Sequence, residues 1–508
     1  MSDRAQQIPH PTSDRSRTFP LPLPRMVLGV ACVVAALSVA RGVVNALFAP
    51  WGGHDFHSYW YYGHFLRQGM DPYAAFLNGS QLHLPVAYLD GATVVRPPVA
   101  QVGLGMVPAN TAPMVVAMSL FSWFSWPVAR ALWLGVNLLA LFAIPKLVVR
   151  LLPNRGSLDL STKLFIFMAF WCFVGTRVAL GVGQTTLVVI SLILAALHLA
   201  RRRPLLAGLL FGLALSKYSL AMWLAVFLLL EQAWLVLATG LMVQLAATLA
   251  VGMLPGGTPA TVLAAYWQVM VGHADQPGIQ LARLVGGQAA LPWWSTVAIT
   301  ALTAAGLVLP LWRMAREARL ARPAHPARPA GAAGAAGAAG AAGAAGTAGA
   351  VGAAPGQTRA GGADDAHRSG TTYRRAWFRL HMVAILALWS LLAVYHRNYD
   401  SPLAVLYVAL LVAGLAEHGL WRLGQARGWV MAGLGVTILG LSLPGAVLEP
   451  VLPASALPVW MLAVDHTITI TLILGLFMAL WLIGRLVGQS GRPDGMSSKA
   501  RQETFDAA

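Results

Sequence analysis

The chain has 508 residues, 57% of them hydrophobic and only 10% charged, with a mean hydropathy of +0.65. That composition excludes a soluble globular domain and indicates an all-α polytopic membrane protein. The formal charge of +17 would suit a nucleic-acid binder, but most of the basic residues fall in short segments between apolar runs, so no nucleic-acid partner is expected.

Residues 1–25 form a polar tail carrying Arg4, Arg15, Arg17 and Arg25. The first apolar run, 26–48, has no small-residue cleavage site and suits a spanning helix rather than a signal peptide. With about 20 residues needed per crossing, helices are expected at roughly 26–48, 128–149, 164–180, 185–200, 204–217, 219–231, 233–253, 294–312, 378–395, 402–420, 430–447 and 464–484. The pair at 204–217 and 219–231 is too short for two straight crossings and suggests a tilted or re-entrant hairpin. With the N-terminus inside, 27 of the 35 Lys and Arg lie on the inner face, as the positive-inside rule requires. The expectation is about twelve helices in a bacterial inner membrane, both termini cytoplasmic. Cys32 and Cys172 lie within apolar runs and are expected to pack there.

The first outer loop, within 50–127, is the most unusual segment. Trp51–Tyr73 sets Asp55, Asp71, His54, His57 and His64 among tryptophans, tyrosines and phenylalanines at a membrane exit. Were Asp55 to begin a helix, Tyr59 and Tyr62 would share its face at i+4 and i+7. A carboxylate flanked by rings can bind a sugar and take a proton from it; an interfacial helix whose Asp caps its start would show the same spacing. His54 and His57 are possible sugar or acceptor contacts, and the His54–His57 stretch is also open to a metal-dependent reading, although no metal is expected.

Further along, the ionisable residues at outer helix ends are few. Arg96-Pro97-Pro98, Gly181-Val182-Gly183-Gln184, Ser216-Lys217-Tyr218 and Tyr395-His396-Arg397-Asn398-Tyr399-Asp400 stand out. Lys217, between two apolar half-helices, would be costly at membrane depth unless it snorkels to the headgroups. Lys217 with Arg397 and His396 would suit the phosphate of a lipid-linked donor; Arg96, Gln184 and Asp400 are possible sugar or acceptor contacts. Residues 321–372 are expected to be a cytoplasmic linker: the period-three Ala/Gly run of Gly331–Gly346 cannot bury a core. The linker separates an N-terminal membrane block, 26–320, from a C-terminal block, 373–487, and 488–508 forms a polar tail. A base, an aromatic platform and cations for a phosphate leaving group describe glycosyl transfer from a lipid phosphosugar. A transporter or lipid flippase, or a non-catalytic envelope subunit, are the alternatives.

The order Asp55–Tyr73, Arg96–Gln101, Gly181–Trp223, Gln280–Gly287 and Tyr395–Leu403 resembles glycosyltransferase family 87, over about residues 26–420. The resemblance implies a GT-C-like bundle with helical extracytoplasmic loops. It implies a polyprenyl-phosphate-sugar donor, with mannose the expected sugar, as the substrate, with no cofactor besides, and an acceptor hydroxyl on a lipid, glycan or protein. It also implies inverting transfer on the extracytoplasmic side, with Asp55 as catalytic base. The chain departs from the family pattern at Arg96, at Tyr218 after Lys217, and at Thr185-Thr186.

Overall fold

The computed structural model describes residues 25–49, 52–80, 82, 84–87, 93–95, 107–153, 155–273, 362–393, 398–418, 426–442 and 467–490, with short pieces between 298 and 312. In chain order its elements are α1 (Arg25–Phe48), α2 (His54–Arg67), α3 (Pro72–Leu77), β1 (Pro85–Ala87), β2 (Thr93–Val95), α4 (Ala112–Ser119), α5 (Trp126–Leu151), α6 (Leu160–Cys172), α7 (Val174–Val182), α8 (Thr186–Leu199), α9 (Pro204–Ala214), α10 (Tyr218–Leu230), α11 (Trp234–Gly252), α12 (Pro259–His273), α13 (Gly362–Ala393), α14 (Val405–His418), α15 (Ala426–Ser442) and α16 (Thr467–Ser490). Among the described residues, 3₁₀ turns at Leu120–Trp123 and Leu215–Lys217 join neighbouring helices, and a third, Asn398–Ala404, leads into α14. The expected all-α architecture needs one amendment: β1 and β2 pair antiparallel as a two-stranded ribbon between α3 and α4.

Among the described residues, four helical runs are long and apolar enough to cross a membrane, and the bent pair α6–α7 makes a fifth. Several shorter apolar helices accompany them. One of the four, Pro204–Leu230, is not a straight crossing. Twenty-seven helical residues would extend about 40 Å, yet Arg201 and Glu231, flanking the run, form an ion pair at 3.1 Å. Moreover, α11 lies parallel to α9: a Cβ at Gly208 would meet Val236 and Thr239, and one at Gly212 would meet Gly240 and Val243. The chain therefore goes out along α9, turns at Leu215–Lys217 and returns along α10, which is the hairpin expected from the sequence. Arg379 of α13 also pairs with Glu231 at 3.0 Å, fastening the hairpin's base to the C-terminal block.

Each limb is short, about 17 and 20 Å by helical rise, against an apolar layer of about 30 Å. Helix α8, with 14 residues, spans about 21 Å. These helices bring Thr186 and Lys217 to one level. Around them, a single apolar core runs from Phe56 and Trp133 through Leu187, Trp223 and Leu386 to Tyr407. A smaller cluster, including Tyr73, Val115, Val251 and Val262, holds α3, α4, α11 and α12 together.

Two expectations change at the edges of the C-terminal block. Helix α13 starts at Gly362, so residues 362–372 of the expected linker are helical. Helix α16 likewise runs on to Ser490, two residues into the expected tail. The Gly331–Gly346 run and the rest of the tail lie outside the described residues.

Candidate active site

The site is assembled around the start of α2. Helix α1 ends at Phe48, and the Arg130 side chain of α5 donates to the carbonyls of Ala46 and Ala49, closing off carbonyls that the helix end leaves open. Two glycines then turn the chain, Gly53 with φ +69°, and the Gly53 N–H donates to the Gly181 carbonyl at 2.9 Å. On the other side of this contact stands Gly183, with φ +71°; a Cβ there would come within 2.8 Å of the Phe56 Cβ. Only glycine permits both that backbone and that approach. Trp133 secures the joint by donating its indole N–H to the Gly183 carbonyl at 2.7 Å.

From this joint α2 projects Asp55 toward the N-terminus of α8. The Gln184 amide donates to Asp55 Oδ2 at 2.7 Å. Its carbonyl oxygen accepts from the Thr185 N–H at 3.1 Å and from Lys217 Nζ at 3.5 Å. The amide orientation is thus dictated by its surroundings, with N–H toward the carboxylate and oxygen toward donors. Lys217, at the tip of the hairpin, donates to Thr186 Oγ1 at 2.7 Å and pairs with Asp400 at 2.5 Å. Thr186 donates to the same carboxylate oxygen at 2.6 Å. One chain of polar groups therefore runs from Asp55 through Gln184 and Lys217 to Asp400, across four segments remote in sequence. The Lys217 and Asp400 side chains are 11% and 4% exposed, so the pair is largely desolvated.

Helix α2 divides its faces sharply. On the Asp55 face, buried Tyr59 feels the charge of Asp55 and, more weakly, of Asp400. Burial first, and then Asp55, hold its hydroxyl well above the usual tyrosine range, opposed by Asn110 and Thr185. Tyr62, one turn further along that face, is 2% exposed and packs against Tyr61, Phe65 and Phe76. The opposite face is packing too: Phe56 stacks on Trp133 with centroids 5.2 Å apart, and His57 meets Trp126 edge-on at 4.7 Å. Burial and the charge of Arg67 lower the pKa of His64 to about 4. His54 occupies the first position of α2 beside Asp55. Asp71 caps α3, accepting from the Tyr73 N–H at 2.9 Å, the turn role its neighbouring proline suggests.

The structure thus brings together Asp55, Tyr59, Gln184, Lys217 and Asp400, leaving His57 and Tyr62 in packed surroundings. Arg96, His396 and Arg397 lie outside the described residues. Thr186 is the member that sequence reasoning passed over. Its signal was a polar pair, Thr185-Thr186, following Gly183-Gln184 at the head of an apolar helix. The residue before α4 is tied to the hairpin tip as well, since the Thr111 N–H donates to the Ser216 carbonyl at 3.0 Å. Among the described residues no three His, Cys, Asp or Glu side chains gather as a metal-ligand set.

Comparison with known proteins returns one family. No curated protein and no solved structure matches the chain. Residues 110–335 match the model of glycosyltransferase family 87. The match takes in Gln184, Thr186 and Lys217, but it begins after Asp55 and ends before Asp400, a narrower reach than the resemblance read from the sequence. Over residues 110–335 the chain is thus similar to glycosyltransferase family 87, the family its sequence resembles.

Proposed function

We propose that the protein is a membrane-embedded inverting hexosyltransferase, moving a hexose, with mannose the first candidate, from a polyprenyl-phosphate donor to an acceptor hydroxyl on the extracytoplasmic face. The observation that carries the reading is the polar chain from Asp55 to Asp400, which sets a carboxylate and a cation a single glutamine apart. In this reading the acceptor hydroxyl attacks the anomeric carbon. The bond from that carbon to the phosphate oxygen breaks, polyprenyl phosphate departs, and Asp55 takes the hydroxyl proton. Gln184 holds the carboxylate in register through its 2.7 Å bond.

Lys217 offsets the charge that develops on the leaving phosphate. The N-termini of α8 and α10 lie beside it, at Thr186 and Tyr218, and their dipoles favour an anion there. Asp400 and Thr186 hold the lysine aimed until a phosphate arrives. Arg397 and His396, a few residues before Asp400 in sequence, would donate further hydrogen bonds to the phosphate. The short helices α8, α9 and α10 suit a lipid donor, because they set the cation within the apolar layer, where the donor's chain can lie between helices. The test is to incubate purified full-length protein with a panel of polyprenyl-phosphate sugars and detect transfer or hydrolysis. Turnover of a polyprenyl-phosphate hexose supports the reading; turnover of nucleotide sugars alone refutes it.

A further inference from the structure

A second cationic site lies at the crossing of α1 and α7, independent of the proposed reaction. Arg41 is an exposed residue of α1. It falls at i+4 from Leu37, i−3 from Val44 and i−7 from Phe48, which are 66%, 53% and 68% exposed. These positions share one helix face, so Arg41 interrupts an apolar stripe that faces outward. It lies seven residues before the helix end, about 10 Å along the axis. Its neighbour Gly42 sits where α1 crosses α7: a Cβ there would meet the Leu180 Cβ at 3.1 Å and the Arg177 carbonyl at 3.2 Å. The crossing places Arg177 close enough to Arg41 to feel its charge. No Asp or Glu among the described residues pairs with either arginine.

Two like charges at one helix crossing, bordered by apolar side chains, repel each other in a poorly screening environment. A single anion between them would relieve that repulsion. Guanidinium groups present planar forks that match phosphate oxygens. The approach runs along the Leu37–Val44 stripe, which favours an anion carried on a lipid chain over a free one. We propose that Arg41 and Arg177 bind the phosphate of an anionic lipid at the α1–α7 crossing, separately from the Lys217 site. The chemistry suits two sources, a phosphoglyceride of the bilayer or a polyprenyl monophosphate.

The test is a lipid titration of the full-length protein followed by native mass spectrometry. The probes are phosphatidylglycerol, a polyprenyl monophosphate and, as a control without net charge, phosphatidylcholine. Wild type and Lys217→Gln should both retain an anionic lipid at this site. Arg41→Gln/Arg177→Gln should bind it at least tenfold more weakly, and Arg41→Lys/Arg177→Lys should lose only a few-fold. Retention of both anionic probes assigns the site to phosphate headgroups in general; retention of the polyprenyl monophosphate alone assigns it to the isoprenoid lipid. Wild-type affinity in the double glutamine variant, or equal retention of phosphatidylcholine, overturns the proposal. Should the double variant not fold, Arg41→Gln alone decides on the exposed face: a loss of threefold or more upholds the site, and unchanged affinity removes it.

Discussion

Replacing Gln184 by leucine keeps approximate volume and removes both ends of the bridge between Asp55 and Lys217. The amide-to-carboxylate bond is 2.7 Å long and charge-assisted, a class worth about 1.5–3 kcal/mol. If the bond serves to present Asp55 to the acceptor, that loss appears in the transition state. Each 1.36 kcal/mol is tenfold in rate, so kcat/KM should fall roughly tenfold to a hundredfold. The more distant contact to Lys217, at 3.5 Å, adds little. Gln184→Glu is the informative companion. It sets a second carboxylate beside Asp55, and like charges at that distance disfavour ionisation of both. The acidic limb of its pH–rate profile should therefore move to higher pH. The assay is initial-rate transfer from a polyprenyl-phosphate hexose, with thermal unfolding as a control for integrity. A Gln184→Leu enzyme within threefold of wild type in kcat/KM would refute the bridging role.

Removing one member of the Lys217–Asp400 pair leaves the other charge buried, a change that costs about 3–5 kcal/mol. Lys217→Met and Asp400→Leu should each lower the unfolding temperature clearly, whereas the double variant should recover much of the stability yet fail to transfer sugar. His64 supplies a pH dependence. Its folded pKa of about 4 lies below the ordinary 6.5, so the stability it contributes is complete above pH 6.5 and is lost as the pH falls toward 4. His64→Gln should flatten thermal stability across that interval, and an unchanged slope would contradict the burial argument. For topology, reporters fused at either terminus and in the Gly331–Gly346 run should be cytoplasmic, and one after Ser80 extracytoplasmic; an external linker reporter would place the site on the wrong face.

Helical periods and charge were enough to outline α1, α5, α11 and the α9–α10 hairpin, because long apolar runs and the basic loops between them are local signals. The start of α2 at His54 was also legible, since Asp55, Tyr59 and Tyr62 recur at helical spacing. What the rings do was not. Tyr62 has the same spacing as Tyr59, yet tertiary packing seats it against Phe65 and Phe76. Likewise, nothing local to Lys217 names Asp400, which is 183 residues away; that pairing depends on the 3₁₀ turn Asn398–Ala404 meeting the hairpin tip. Arg130 is a parallel case: it caps the end of α1, a partner 81 residues away that no local signal names. The ribbon β1–β2 was missed because three-residue strands carry too little alternation to register.

The central claim is that Asp55 takes the acceptor's proton. It is tested most directly by Asp55→Asn, compared with wild type for transfer from the preferred polyprenyl-phosphate hexose and for binding of that donor. Asparagine keeps the shape and can still bond Gln184, but it cannot accept the proton. Loss of a general base costs about 10²–10⁴ in rate. The account predicts that transfer falls by at least a hundredfold while donor affinity stays within a few-fold. Near-normal turnover by Asp55→Asn would contradict it and move the base to another carboxylate, with Asp400 the first to examine.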